Sequence, residues 1–297
     1  MKTVLHTNCP VCKSTNLKSL LSCKDYTVSG EIFFIEVCQN CQTAITQNMP
    51  DVTKIGRYYQ SENYISHSNT KKGLVNTIYH VVRSYMLGKK QQLVETVTHK
   101  KNGTVLDIGC GTGYFLNTLQ QAGWTTQGIE ADDKARQFAS TQFKLQVFAP
   151  EKLSTLSAES FDVVTLWHVL EHIHDLELYM NEIYRVLKPD GILIIAVPNY
   201  DSYDAKHYKE LWAAWDVPRH LWHFTPKSLS FLAERFKFQL QNYYLMPFDS
   251  FYVSLLSEKY KKNPLALVAG FWHGFLSLLE AWRNVKHASS VIYVMKK

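Results

Sequence analysis

Two Cys-x-x-Cys pairs, Cys9/Cys12 and Cys38/Cys41, are the residues of this 297-residue chain whose type and spacing speak most directly of chemistry. Twenty-five residues separate the pairs, and each can present two thiolates to one tetrahedral Zn2+. Disulfides are the competing use of such cysteines. The stretch before Pro10 has no apolar h-region, and no uncharged apolar run approaches the ~20 residues of a membrane span. These features place the chain in the cytoplasm, where disulfides are disfavoured. Four sulfur ligands leave no coordination position for water or substrate, so the expected zinc is structural. It supplies folding energy to a segment of about 45 residues that buries little core of its own. Cys23, between the pairs, reads as a core or spare thiol, and Cys110 as a small residue suited to close packing.

A second concentration of chemistry is Val105-Leu106-Asp107-Ile108-Gly109-Cys110-Gly111-Thr112-Gly113. Its glycines let the backbone bend tightly and approach a ligand. The helix expected after them offers free N–H groups and a positive dipole end. Glu130 follows about 20 residues on, where a carboxylate can accept hydrogen bonds from both hydroxyls of a ribose. A dinucleotide loop would read Gly-x-Gly-x-x-Gly. Here the third glycine comes one position early, at Gly113, and Tyr114 takes its place.

Histidine gathers twice. Trp167-His168-Val169-Leu170-Glu171-His172-Ile173-His174 is the first group, and Trp215-Asp216-Val217-Pro218-Arg219-His220-Leu221-Trp222-His223-Phe224-Thr225-Pro226 the second. An imidazole titrates near neutrality and serves as a general base. His172 and His220 are the candidates, with Arg219 as a second choice for anchoring a substrate. The plainer reading gives Glu171-His172 a helix-starting role and makes the second group a core-anchoring loop.

The elements that must position these groups show in the periodicity. Residues 1–60 are cysteine-rich with short β-prone stretches, and 61–73 are polar, a linker. Leu74, Ile78, Val81, Val82, Tyr85, Leu93 and Val97 repeat at helical spacing, so 61–102 joins a linker to a helix. From 103 to 297 strand and helix alternate. Strands are expected at Thr104–Asp107, Thr125–Glu130, Leu145–Ala149, Phe161–Trp167 and Ile192–Val197, the last entered through a turn at Pro189-Asp190-Gly191. Helices are expected at Thr112–Ala122, Asp132–Phe143 and Leu176–Leu187. Thr225-Pro226 marks a helix start, followed by strands near Phe238–Leu245 and, as a closing edge, Val291–Met295. This order predicts an α/β fold: a Rossmann-like, doubly wound, mostly parallel sheet of seven strands, with a small zinc-ribbon-like module at its N-terminus. Both histidine groups then follow strands, on the edge where such sheets bind ligands.

The Asp-x-Gly-x-Gly-x-Gly run resembles motif I of class I S-adenosylmethionine-dependent methyltransferases. Glu130 matches that family's ribose-binding acid, Phe161-Asp162-Val163-Val164 its fourth strand, and Arg185-Val186-Leu187-Lys188-Pro189-Asp190-Gly191 its approach to strand five. The resemblance covers roughly residues 103–200 and the final strand. It implies an S-adenosylmethionine site made by Asp107, Gly109, Gly111, Gly113, Tyr114 and Glu130, with Trp167 and His168 beside it. Leu170-Glu171-His172 resembles an element of small-molecule methyltransferases, ubiquinone-pathway O-methyltransferases among them. The Pro218-to-Thr225 stretch resembles one found in enzymes acting on small molecules and cell-envelope precursors. One departure is that the third strand ends in Phe148-Ala149-Pro150, without the acid many relatives place near adenine.

The resemblance implies a small-molecule, glycan or lipid-linked acceptor. RNA methylation guided by the zinc module is the alternative, and it gains little from charge. The chain carries a net charge of +6, with no dense Lys/Arg stripe. Residues 247–287 interrupt the last two strands with a helical insertion. Its stretch Leu265–Leu279 holds no carboxylate, Lys or Arg and is flanked by Lys259, Lys261, Lys262 and Arg283. A substrate-covering or core helix, a membrane-surface helix and a dimer face all fit that pattern. The sequence leaves the oligomeric state open.

Overall fold

The computed structural model describes residues 3–60 and 74–297, with side chains described for 4–60 and 82–297. The expected linker at 61–73 lies outside the described residues. In chain order the strands are β1 (Thr3–Val4), β2 (Leu17–Lys24), β3 (Ile32–Cys38), β4 (Ala44–Thr46), β5 (Met49–Pro50), β6 (Thr104–Ile108), β7 (Thr125–Ile129), β8 (Gln146–Phe148), β9 (Phe161–Trp167), β10 (Leu187–Pro198), β11 (Trp222–His223), β12 (Gln239–Leu245) and β13 (Ser290–Lys296). The α-helices are α1 (Leu74–Thr98), α2 (Tyr114–Gln121), α3 (Asp133–Phe143), α4 (Leu176–Val186), α5 (Tyr203–Tyr208), α6 (Pro226–Arg235), α7 (Asp249–Tyr260) and α8 (Ala266–Arg283). They build two compact units that interleave along the chain. Met1–Ile65, Leu170–Glu177 and Ala196–Tyr293 form one, and Ser66–Val169, Leu178–Ile195 and Val294–Lys297 form the other.

The seven-stranded sheet has the order β12-β13-β10-β9-β6-β7-β8, the expected mostly parallel α/β architecture. β6 pairs in parallel with both β7 and β9, and β7 with β8. From β6 the chain winds outward through β7 and β8, then returns to β9 on the other side. The reversal point therefore lies between β6 and β9, whose carboxyl ends carry the glycine loop and Trp167. β9 reads as an almost unbroken apolar run because both of its faces are covered, and its first six residues are buried. α3 starts where Asp132 accepts a hydrogen bond from the Ala135 amide, a side-chain N-cap. The turn expected at Pro189-Asp190-Gly191 falls inside β10, where Asp190 takes a left-handed backbone (φ +63°). A Cβ on Gly191 would lie 2.8 Å from the Lys188 carbonyl oxygen, so the doubling back needs glycine there. The expectation that the last strand closes the edge is wrong. β13 lies between β12 and β10 and is buried on both faces, whereas β12 is the outer strand and half exposed.

In the other unit, β11-β4-β3-β2 form a four-stranded sheet. β11, part of the second histidine group, pairs antiparallel with β4, Trp222 opposite Ile45 and His223 opposite Ala44. One buried cluster joins Phe33, Ile35, Val37 and Tyr58 to Trp212, Trp215 and Val217. The cysteine-bearing segment thus shares its core with the histidine loop. The Thr225-Pro226 start of α6 carries a capping box closed by Ser228.

The insertion folds as a helical pair, α7 and α8. Small residues Gly270, Gly274, Ser277 and Ala281 form the buried seam of α8. A Cβ on Gly270 would stand 2.7 Å from the Leu255 Cα, and one on Gly274 2.7 Å from the Phe251 Cα, so larger residues would push the helices apart. Buried Asp204 fastens the seam, accepting from Ser277 (2.8 Å), Trp212 Nε1 (2.7 Å) and Ser289 (2.7 Å).

Candidate functional site

The four N-terminal cysteines converge. All their sulfurs lie within 4.8 Å of one another, with Cys9–Cys41 and Cys12–Cys38 each at 3.4 Å. The two turns that present them are built alike. In each, the first cysteine's N–H donates to a carbonyl five residues on, Ser14 (2.8 Å) or Thr43 (2.9 Å). Its C=O accepts from the residue after the second cysteine, Lys13 or Gln42, both at 2.9 Å. Lys13 and Gln42 are both left-handed (φ +62° and +63°). Each turn thereby points two sulfurs at a common centre, the donor set a tetrahedral Zn2+ takes. The sulfur neighbour Cys9, together with Thr43, holds the Cys41 thiol below its ordinary value.

The glycine loop lies in the other unit. Gly109, Gly111 and Gly113 all take positive φ (+73°, +53°, +80°). Gly109 is further fixed by Val169, whose Cγ2 would lie 2.3 Å from an added Cβ, and Gly113 by Leu145 and Ala139. A Cβ on Gly111 would meet nothing within 4 Å, so this residue faces open space. α2 begins at Gly113 with no side-chain cap, which leaves the N–H groups of its first turn available. Glu130 closes against the loop, accepting from the Gly111 amide (2.7 Å) and from the Asp132 amide (2.9 Å). Asp107 sits beneath, buried, accepting from Thr165 Oγ1 at 2.6 Å. Burial pushes its carboxyl up to about 7, against the pull of Thr165 and Lys90. Trp167 Nε1 is buried without a hydrogen-bond partner among the described residues, and His168 holds a left-handed backbone (φ +57°). An open glycine, uncapped amides, an unmatched indole N–H and a ribose-height carboxylate fit an adenosyl ligand.

Two residues of α1 join this group without having been anticipated. The Arg83 guanidinium lies 4.0 Å from the Tyr114 ring centre, and the Lys90 ammonium 4.2 Å from that of Trp167. A basic residue on a helix face has no periodic signature that would have singled it out.

His172 and His220 meet in the first unit, rings edge to face with centres 4.7 Å apart. His220 Nδ1 lies 2.8 Å from the Ala214 carbonyl oxygen. A carbonyl only accepts, so Nδ1 carries a proton, and in the neutral imidazole Nε2 is then the nitrogen with the lone pair. Asp216 Oδ2 is 4.0 Å from that nitrogen. His172 Nδ1 lies 3.0 Å from both the Arg219 carbonyl and the Tyr59 hydroxyl. Burial, reinforced by neighbouring His220, lowers His172 to about 4, so it is neutral at physiological pH. Glu171, buried beside it, shares with His172 and His220 a set of donor atoms within 4.8 Å, which also gives the cluster the reach of a cation site. His223 is spent on structure. Thr46 donates its proton to the His220 carbonyl (2.7 Å), and its oxygen therefore accepts from His223 Nε2 (3.0 Å).

Arg219 does not face a ligand. It is 1% exposed and bonds Asp216, Asp25 and the Tyr58 carbonyl, so it is a buried ion-pair centre rather than a substrate anchor. Trp215, Trp222 and Phe224 are likewise core residues. Gly109, Gly111, Gly113, Tyr114, Glu130, Trp167 and His168 thus assemble in one unit, and His172 and His220 in the other.

Residues 80–243, more than half of the chain, match the family described as "Methyltransferase domain". A ubiquinone biosynthesis O-methyltransferase of Pelagibacter ubique is 33% identical over 106 residues, which are 33% of this chain and 43% of that protein. The mitochondrial enzyme of that description from Rattus norvegicus is 29% identical over 126 residues, 37% of this chain and 36% of that protein. The chain therefore spans less than half the length of these curated relatives. Among solved structures, a SAM-dependent methyltransferase from Archaeoglobus fulgidus is similar with a TM-score of 0.48 at 18% identity, covering 72% of this chain and 94% of that one.

Proposed function

From a chain that belongs to the methyltransferase-domain family, we infer an enzyme that methylates a hydroxyl of a small acceptor, free or at the end of a glycan or lipid-linked precursor, with S-adenosylmethionine as donor. The observation that carries the reading is the bond from His220 Nδ1 to the Ala214 carbonyl, which in the neutral imidazole would leave Nε2 to take a hydroxyl proton. The O-methyltransferase names of the relatives agree with an oxygen acceptor. When bound, the cofactor supplies a methyl group already activated on a sulfonium. The chain's own task is then to align the acceptor, exclude water and hold its proton. Gly109, Gly111 and Gly113 would admit the cofactor to the backbone, Glu130 would turn from the Gly111 amide to the ribose hydroxyls, and Asp107 would brace the loop from below. Tyr114, Trp167 and His168 would line its sides. His172, kept neutral, would pack against His220 without competing for the proton.

Calorimetry tests the cofactor assignment. Glu130→Ala should weaken S-adenosylmethionine binding at least tenfold, about 1.4 kcal/mol. Gly111→Val should do the same, because a branched side chain resists the left-handed backbone even in open space. Unchanged affinity in both variants would remove the assignment.

A second test separates binding from chemistry. His220→Ala should lower turnover at least tenfold while cofactor affinity stays within about twofold. The assay offers labelled cofactor to a metabolite and envelope-precursor extract and, in parallel, to total RNA. Salt-sensitive labelling of RNA alone would replace the small acceptor with RNA.

A further inference from the structure

α8 is built inside out, with small residues inward and bulky ones outward. Its inner seam is the row of small residues that admits α7, and Asp204 and Ser250 hold that seam in place; Ser250 Oγ donates to the Gly274 carbonyl at 3.0 Å. The bulky residues point the other way. Leu267, Val268, Phe271, Trp272 and Trp282 are 57–74% exposed. At 100° per residue they share one arc of about 140° with no charged residue inside it. The inner contacts fix the helix, so this face is not available to roll inward.

Charge decides what covers it. Lys259 and Lys262 stand just before α8 beside Lys261, which is paired with Glu258, and Lys286 stands at its far end beyond Arg283, which is paired with Glu280. A second copy laid antiparallel on this face would set basic end against basic end. A lipid surface of negative charge meets both ends at once, with the aromatic rings at headgroup depth. No described helix is long and apolar enough to cross a membrane. We propose that the outer face of α8 lies on an anionic lipid surface, with its basic ends on the headgroups. The proposal does not depend on the reaction assigned above.

The test uses the full chain with vesicles of equal phosphatidylglycerol and phosphatidylcholine, and with vesicles of phosphatidylcholine alone. The chain should sediment with the anionic vesicles at least tenfold more strongly, and less so at about 0.5 M salt. Phe271→Glu/Trp272→Glu should lower that binding at least tenfold with S-adenosylmethionine affinity unchanged. In the unaltered protein, brominated lipid should quench tryptophan emission, and Trp272→Phe/Trp282→Phe should remove most of the quenching. This second measurement decides the matter if the charged variant does not fold. Absence of quenching overturns the proposal, as does equal vesicle binding by a folded charged variant. So does a dimer that the charged variant breaks without any vesicle binding.

Discussion

Serine at Cys9 and Cys38 together should strip the zinc from the chain and take the histidine cluster with it. Metal analysis of the unaltered protein should find one zinc per chain, and the double variant close to none. A structural zinc held by four thiolates contributes on the order of 10 kcal/mol to the fold it closes. The loss should not stay within the first fifty residues, because β4 pairs with β11 and Phe33, Ile35 and Tyr58 pack with Trp212 and Trp215. Near-UV circular dichroism of the buried tryptophans should therefore collapse along with the metal content, and methyl transfer should fall below detection. The glycine loop belongs to the other compact unit, so S-adenosylmethionine affinity should change by less than about threefold. Full zinc occupancy in the double variant would place the ligands elsewhere. Loss of zinc with an intact near-ultraviolet spectrum would mean that the shared core stands without the metal.

Arg219→Leu should cost about 3–5 kcal/mol of stability, read as a lower urea midpoint with the slope unchanged. The guanidinium is buried and makes four hydrogen bonds: two to Asp216 (2.6 and 3.0 Å), one to Asp25 (3.1 Å) and one to the Tyr58 carbonyl (2.9 Å). Leucine supplies volume but leaves two carboxylates facing each other in the interior. Asp25 is already committed to the amides of Thr27, Val28 and Ser29, so it cannot turn away to solvent. Burial works against ionised Asp216, and the adjacent Arg219 overrides it to hold that carboxyl below its ordinary value. Lysine at 219 should recover only part of the loss, since an ammonium lacks the flat fork that reaches all three partners. A change under about 1 kcal/mol for the leucine variant would show that the ion pair does not hold this core together.

Local signals carried far in this sequence, and partners distant along the chain did not. Phe161–Trp167 reads as a covered strand and is one, because its apolar run needs no context. Thr225-Pro226 announces α6 through capping chemistry confined to four residues. The glycine loop follows its strand and opens a helix, as the spacing predicts. Arg219 misleads because a cation beside histidines reads as a site residue, and its partner Asp25 lies 194 positions away. The inner position of β13 escapes for the same reason: an apolar run says a strand is buried but not which neighbours bury it. The antiparallel pairing of β4 with β11 leaves no mark on either segment, each only two or three residues long.

That pairing sets a schedule for the chain as it is made. Thr46 and His223 hydrogen bond across 177 positions, so β4 leaves the ribosome long before the strand that completes its sheet. At about 5–20 residues per second the wait is roughly 10–35 s. Both cysteine pairs are already out by then, and a zinc captured early can close their turns. The outer edge of β4 meanwhile stays open to any passing strand, and only the arrival of Trp222 and His223 seals it.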